Sequence, residues 1–343
     1  MRFEAAVSSV SWIPSELVSG SLRAGFDLGL AHYDPPPPER LGGVDDLKNR
    51  CAKDEFRFAN VLTGWLEVDD GRVVDAGWGP DSGLVLGSTT VRVARLGATF
   101  RAISLPTLQP QIELGADKVR FQQTVGGRTG VPLPRPVRHP PFLQWQAPVV
   151  WTTLAMTLYA DGRAEVQLPG ASAFPRHWVF GADGCLALKS GLTEQKAWVA
   201  HSFGARTPWG DQDSPALVTA VETELERQLS HDLMHGRTPE VRKVKQGSAV
   251  TQQGEPGSEL FLLLDGVLGV EVDGTRLAEL GPGAVLGERA VLEGGRRTST
   301  LIAVTDVRLA VAPAGALDLD RLRTLADLHR REDGTPPASQ SDS

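Results

Sequence analysis

The chain has 343 residues, enough for two domains of ordinary size, and its 41% hydrophobic and 22% charged content is that of a soluble globular protein. A net charge of −7 at pH 7 argues against a nucleic-acid-binding surface over most of the chain. Two cysteines without CxxC spacing, Cys51 and Cys185, exclude a disulfide framework or thiolate zinc site, and the most apolar stretch, Val149 to Met156, is too short to span a bilayer.

The opening MRFEAAVSSV holds no basic segment followed by an apolar run, so no secretory signal is expected and a cytoplasmic location is. Pro35–Pro38 reads as extended and solvent-facing, and a short helix is predicted over Asp45–Ala52. Three Asp-Gly pairs then fall between extended runs: Asp70-Gly71, Asp161-Gly162 and Asp183-Gly184. A type I′ turn needs positive φ at both central residues, which this pair tolerates, so each predicts a hairpin. Residues 1–210 are therefore expected to form an antiparallel β-sandwich or barrel-like domain, with the tryptophans in its core.

Two clusters in this region invite a functional reading. Gly126, Gly127 and Gly130, with Arg128, Arg135, Arg138 and His139, would offer an anion backbone N–H groups and positive charge. The Gly-Lys-Ser/Thr ending of a Walker A loop is missing, and a β-turn with a Pro-stiffened crossover is the plainer expectation. The run Phe174–Trp178, with His177 and the later His201 and Asp211, has no G-x-S-x-G elbow, HExxH or paired-histidine spacing. No catalytic residue and no metal ligand is assigned, and whether the chain is an enzyme stays open.

Composition then shifts. All eight Trp residues lie between Trp12 and Trp209, and Phe261 is the sole Phe beyond Phe203. Within the boundary, Ser214 reads as an N-cap and Pro215 as a first helical residue. Leu217, Val218, Val221, Leu225, Leu229 and Leu233 recur at helical spacing until Gly236. An amphipathic linking helix is expected over 211–235.

From Val241 onward, short apolar strands alternate with glycine turns, including LFLLLDG and a hairpin at Asp273-Gly274, the pattern of a small roll. Then a short helical turn opens at Glu288, where unpaired N–H groups suit an anion. The guanidinium of Arg297, nine residues on, is able to close over that anion with paired hydrogen bonds. A carboxylate at this position makes sense if it accepts a hydrogen bond from a hydroxyl of the same ligand, as a ribose would provide.

Leu286-Gly287-Glu288-Arg289-Ala290-Val291 and Arg297-Thr298-Ser299-Thr300-Leu301 resemble the phosphate-binding cassette of the cyclic-nucleotide-binding domain family. Gln253–Phe261 and Leu264-Asp265-Gly266 resemble the family's upstream segment. The resemblance implies a cyclic-nucleotide-binding β-roll of jelly-roll type with short flanking helices over 236–330. It puts Glu288 on the ribose 2′-hydroxyl and Arg297 on the cyclic phosphate. The N–H groups of Arg289 and Ala290 complete the phosphate shell, Gly287 allows close approach, and Ser299 adds a phosphate contact. Thr298 lies where a threonine contacts guanine in the cGMP-dependent kinases. Three residues depart from the pattern: Leu286 for the usual Phe, Arg289 for an apolar residue, and Arg296 for the usual Pro, which is expected to loosen the turn.

A last helix carries Leu317, Leu319, Leu322, Leu325, Ala326 and Leu328, and His329 near its end reads as a surface histidine, with stacking on a base as the alternative. No helix-turn-helix follows, which counts against the transcription-factor branch, and the polar tail 331–343 is expected to be disordered. The mainly β chain is thus expected to be a regulatory protein. Its ligand, cAMP or cGMP, acts as a signal and not as a cofactor, and occupancy passes to the N-terminal β-rich domain. A protein partner or self-association is compatible with this; nucleic acid and a membrane span are not expected. The alternatives are an enzyme with a catalytic N-terminal domain gated by the nucleotide, and a scaffold with a ligand-free roll.

Overall fold

A computed structural model describes residues 1–14, 23, 33–93, 96–136, 140, 142–191, 207–209, 216, 218–219, 221, 223–234, 239–313, 315 and 317–332. The chain divides into two compact units, Met1–Val218 and Thr219–Ser343.

The first unit begins with β1 (Arg2–Trp12), α1 (Val44–Ala52), β2 (Phe58–Asp69), β3 (Arg72–Trp78) and β4 (Gly83–Leu86). After the ribbon β5–β6 (Thr89–Val93, Leu96–Phe100) come β7 (Ile103–Ser104), β8 (Glu113–Leu114) and β9 (Lys118–Arg128). A second ribbon, β10–β11 (Leu133–Pro136, Leu143–Gln146), precedes β12 (Val149–Tyr159), β13 (Ala164–Ala171), β14 (Arg176–Phe180), β15 (Leu186–Ser190) and the two-residue β16 (Val218–Thr219). One sheet has the order β16-β15-β14-β1-β2-β3, with β4 also on β2; the other is β13-β12-β9-β7, with β8 also on β9.

Alternate residues of each sheet point inward. Val7, Leu62 and Leu66 of the first sheet meet Val119, Phe121, Leu154, Met156 and Leu158 of the second in one buried cluster. The fold is therefore a β-sandwich. A Cβ on Gly64 would lie 2.8 Å from Phe121 Cζ, so the glycine makes room for that ring.

All the Asp-Gly hairpins form, but not by one mechanism. Asp70 and Gly71 both have positive φ, 48° and 73°, as a type I′ turn requires. At Asp161-Gly162 and Asp183-Gly184 only the glycine does. There the aspartate instead accepts from the N–H two residues on, Arg163 at 3.0 Å and Cys185 at 2.9 Å, closing an Asx turn.

Neither the β-turn expected at Gly126 and Gly127 nor the alternative anion loop forms there. Both lie within β9, opposite Trp151 and Val150 of β12, and a Cβ on Gly126 would strike the rings of Trp209 and Trp151's Cβ. The glycines exist for packing. Arg128 donates to Ala147 O at 2.9 Å; Arg138 and His139 lie outside the described residues.

Several polar side chains inside the sandwich are paired with one another. Asn60 Nδ2 donates to Thr152 O at 3.1 Å, Gln123 Nε2 donates to Asn60 Oδ1 at 2.8 Å, and Ser9 Oγ lies 2.9 Å from Thr152 Oγ1. His177 is 1% exposed. Its Nε2 faces Ser172 O at 2.7 Å and must carry the hydrogen, so Nδ1 accepts from Ser11 Oγ, also at 2.7 Å. Burial drives its pKa down to about 4, against the smaller upward pull of the Ser172 carbonyl. His177 is thus a neutral core residue; His201 and Asp211 lie outside the described residues.

The second unit contains α2 (Glu224–Met234), β17 (Glu240–Val244), β18 (Ala249–Thr251), β19 (Glu259–Asp265), β20 (Leu268–Val272), β21 (Thr275–Leu280) and β22 (Val285–Leu286). It ends with α3 (Glu288–Leu292), β23 (Thr300–Ala303), β24 (Val307–Pro313) and α4 (Leu319–Glu332). Two four-stranded antiparallel sheets, β17-β24-β19-β22 and β18-β23-β20-β21, make the roll. The centre of β19, Leu260–Leu264, is a continuous apolar run because it is buried on both faces. Leu260, Leu262 and Leu264 pack with the helices through Leu229, Leu322 and Leu325, while Phe261 and Leu263 pack with Leu268, Leu301 and Leu309.

The linking helix starts later than its apolar spacing suggests, at Glu224 and not at Ser214, and Val218–Thr219 is strand. Thr223 and Glu226 explain the start. Glu226 N–H donates to Thr223 Oγ1 at 3.2 Å and Thr223 N–H donates to Glu226 Oε2 at 2.8 Å, a reciprocal capping box. Ser214, Pro215, Leu217, Gly236 and the tail 333–343 lie outside the described residues.

Candidate functional site

The turn between β22 and β23 is shaped by glycine and arginine together. Gly287 precedes α3 with φ 90° in the left-handed region, where an L side chain is strained. A Cβ there would lie 2.7 Å from both Arg297 Nη1 and Glu259 O. Gly257 likewise lies against the Arg297 guanidinium. The backbone of Arg297 is clamped on both sides, its N–H donating to Glu255 O and its carbonyl accepting from Gly254 N–H, each at 2.8 Å. Arg296, expected to loosen this turn, tightens it: Nη1 donates to Gly254 O at 2.8 Å, and the residue bridges to Pro256. A guanidinium thus does by hydrogen bonding what a proline ring does by stiffness.

Arg297 is buried, with Nη1 donating to Glu259 O at 2.9 Å and its guanidinium 4.9 Å from the centre of the Phe261 ring. Burial lowers its pKa, while Glu259 and Glu288 pull it back up. Even so it stays a cation at any physiological pH. Glu288, 4% exposed, opens α3. The helix has five residues, so its contribution to an anion is the N–H groups of its first turn, which have no partner within it.

Between these groups lies a cavity of about 240 Å³. All seven residues expected from the sequence line it: Gly287, Glu288, Arg289, Ala290, Arg297, Thr298 and Ser299. Opposite stands an apolar wall that includes Val270, Val272, Ala278, Leu280 and Leu301. Arg289 points along the cavity with Nε 3.6 Å from Glu293 Oε1, so its departure from the apolar residue adds charge at the rim. Leu286 is buried in the roll's core, a simple exchange of one apolar side chain for another.

Two ionisable groups at the site, His329 and Glu226, fall outside the ligand-binding set expected from the sequence. His329, read as a surface histidine, lines the cavity, with Nδ1 3.0 Å from Glu288 Oε1 and Nε2 3.6 Å from Glu226 Oε1. Burial by itself would lower its pKa, but Glu226 and Glu288 outweigh that and hold it at about 10. Both residues had a signal. His329 follows Leu322 by seven, Leu325 by four and Ala326 by three, the spacing of the buried helix face, and Thr223-x-x-Glu226 is a capping box.

Residues 241–318 match the family model described as the cyclic nucleotide-binding domain. The cGMP-dependent protein kinase egl-4 of Caenorhabditis briggsae is 41% identical over 69 residues, which are 20% of this chain and 9% of the kinase. The cyclic nucleotide-gated potassium channel mll3241 of Mesorhizobium japonicum is 37% identical over 73 residues, 21% of this chain and 20% of the channel. The chain therefore covers only a small part of either relative. A solved cyclic nucleotide-binding domain from Methylobacillus flagellatus is 25% identical, covering 27% of this chain and 62% of that one, with a TM-score of 0.26. Among the described residues, no helix is long and apolar enough to cross a membrane. The β-roll of the second unit, over residues 241–318, is a cyclic nucleotide-binding domain.

Proposed function

We propose that this chain binds cAMP or cGMP in the 240 Å³ cavity and passes occupancy through its flanking helices to the β-sandwich unit. The observation that carries the reading is the survival of Glu288 and Arg297 together, buried and facing one cavity. Two opposite charges that line one recess suit a ligand that carries both an anion and a hydroxyl donor. A cyclic nucleotide does: its phosphate suits Arg297 and the N–H groups of Arg289 and Ala290, and its ribose hydroxyl suits Glu288. The apolar wall suits a purine face. Arg297, whose guanidinium hydrogen-bonds a backbone carbonyl and not a carboxylate, is the cation best placed to receive an anion.

Thr298 offers a hydroxyl to a guanine without excluding adenine, so both nucleotides belong in the test. The roles of Glu288 and Arg297 come from the resemblance to the cassette; the similarity to a cGMP-dependent kinase and a cyclic nucleotide-gated channel supports them. Calorimetric titration of the full chain with cAMP and cGMP should give saturable one-to-one binding. No heat and no competition at millimolar ligand would remove this reading and leave the ligand-free scaffold.

A further inference from the structure

The carboxylate that the proposed ligand needs is already engaged. His329 on α4 holds Glu288 Oε1 through Nδ1 at 3.0 Å and faces Glu226 Oε1 through Nε2 at 3.6 Å. The two carboxylate side chains are 5% and 8% exposed, and that of His329 is 19% exposed. Glu226 cannot readily follow the ring, because its Oε2 is committed to the Thr223 N–H at 2.8 Å. One imidazole therefore ties α2, α3 and α4 together at the mouth of the cavity. Elsewhere α4 is held by Leu322, Leu325 and Ala326, which are buried, and by a half-exposed Arg321–Asp232 pair at 2.7 Å.

We infer that His329 is a latch on the nucleotide site: without ligand its imidazolium takes the place on Glu288 that a sugar hydroxyl would take, so nucleotide capture and docking of the α4 end exclude each other. This rests on the cyclic-nucleotide reading of the cavity. A hydroxyl-to-carboxylate hydrogen bond is weaker than a sheltered ion pair. The sugar alone cannot open the latch, and the phosphate on Arg297 must supply the difference. An uncharged nucleoside should therefore bind far more weakly than its cyclic phosphate.

The latch also links binding to a proton. Between two carboxylates His329 stays charged until about pH 10; released into water it returns to the ordinary histidine range near 6.5. Above neutral pH, capture of the ligand then expels a proton, and binding tightens as pH rises. The groups facing the ring are Glu226 from α2, Glu288 and Arg289 from α3, and Arg297 beyond them. Carboxylates and guanidinium groups do not change charge between pH 7 and 9, so the titration in that window belongs to His329.

The experiment is cAMP titration of the full chain at pH 7, 8 and 9, in buffers of different ionisation enthalpy, with wild type and H329Q. Wild type should release about one proton per nucleotide at pH 8, with Kd falling up to about tenfold per pH unit. H329Q, checked by its melting curve to be folded, should bind more tightly than wild type at pH 7 and show a flat pH profile. Wild-type binding with no proton release, or an H329Q that binds equally or less well, overturns the latch and leaves the nucleotide reading intact. Failure of both proteins to bind cAMP and cGMP at millimolar concentration overturns the nucleotide reading and with it the competition. A ligand-free arm separates the two. Amide exchange across residues 319–332 should be faster in E288Q than in wild type, and unchanged exchange overturns the latch whether or not nucleotide binds.

Discussion

Acidification should destabilise the β-sandwich unit through one residue, His177. Its ring is 1% exposed, accepts from Ser11 and donates to the Ser172 carbonyl, and its pKa falls from 6.5 to about 4 because burial opposes the charge. The unfolded chain takes up a proton near pH 6.5 and the folded chain does not until about 4. Stability from the neutral ring is therefore complete above the unfolded value and is lost as pH falls through this window. Linkage across the two values gives a loss of about 2 kcal/mol by pH 5 and about 3 kcal/mol by pH 4, to order of magnitude. That is a large share of a typical domain's ~5–15 kcal/mol. All eight tryptophans lie between residues 12 and 209, so urea denaturation followed by Trp emission reports on this unit and is silent about the roll. Carboxylates also titrate here, and His177→Gln isolates the histidine: Gln can keep one donor and one acceptor but cannot charge. The variant should lose about 1–2 kcal/mol at pH 7 through imperfect hydrogen bonding, then close the gap on wild type as pH falls to 5. Parallel curves for wild type and variant would show that His177 is not the acid-sensitive group.

Arg297→Ala should weaken cyclic nucleotide binding by at least about 1.5–3 kcal/mol, the scale of a hydrogen bond to a charged group, read by calorimetry against wild type. Gly287→Ala should cost the roll about 1–2 kcal/mol from its left-handed φ and displace Arg297, so both melting temperature and affinity should fall. Asn60→Leu should destabilise the sandwich by about 1–3 kcal/mol, because it removes one of the two acceptors of Gln123 Nε2 and the side-chain donor to Thr152 O in the core; Trp-detected denaturation measures it. In the roll, His329 has a raised pKa, so its contribution is complete below pH 6.5 and lost as pH rises through about 10. Amide exchange in α4 should accordingly quicken between pH 8 and 10 beyond its intrinsic pH dependence, and H329Q should abolish that excess.

What could be read from the sequence was what local spacing determines. Nine residues from Glu288 to Arg297, with a glycine on the near side, bring both groups to one cavity: short-range bonds at Glu293 and Gly295 fold the turn, and Gly254 and Glu255 then clamp Arg297 from outside it. The hairpins were legible for the same reason, although Asp161 and Asp183 reached the turn by a side-chain bond in place of a positive φ. The start of α2 was misplaced because apolar spacing through Leu217 and Val218 continued past the point where Thr223 and Glu226 cap the helix. Gly126 and Gly127 have the look of a loop because a glycine pair signals a turn, but the Trp209 ring at the first and Leu86 at the second occupy the space that side chains would take.

The two histidines show where reading along the chain ends. His177 and His329 are the same side chain, each near a buried apolar run, yet one is pushed down to about 4 and the other up to about 10. What separates them is the partner. His177 meets Ser11, 166 residues away, and a carbonyl, neither of which compensates a charge. His329 meets Glu288, 41 residues away, and Glu226 on another helix, and two carboxylates more than repay the desolvation. Helical spacing places His329 on the inner face of α4 but is silent about its charge, which only the packing of α2 and α3 decides. The same packing turns a residue outside the cassette into the one group that contests the cassette's carboxylate.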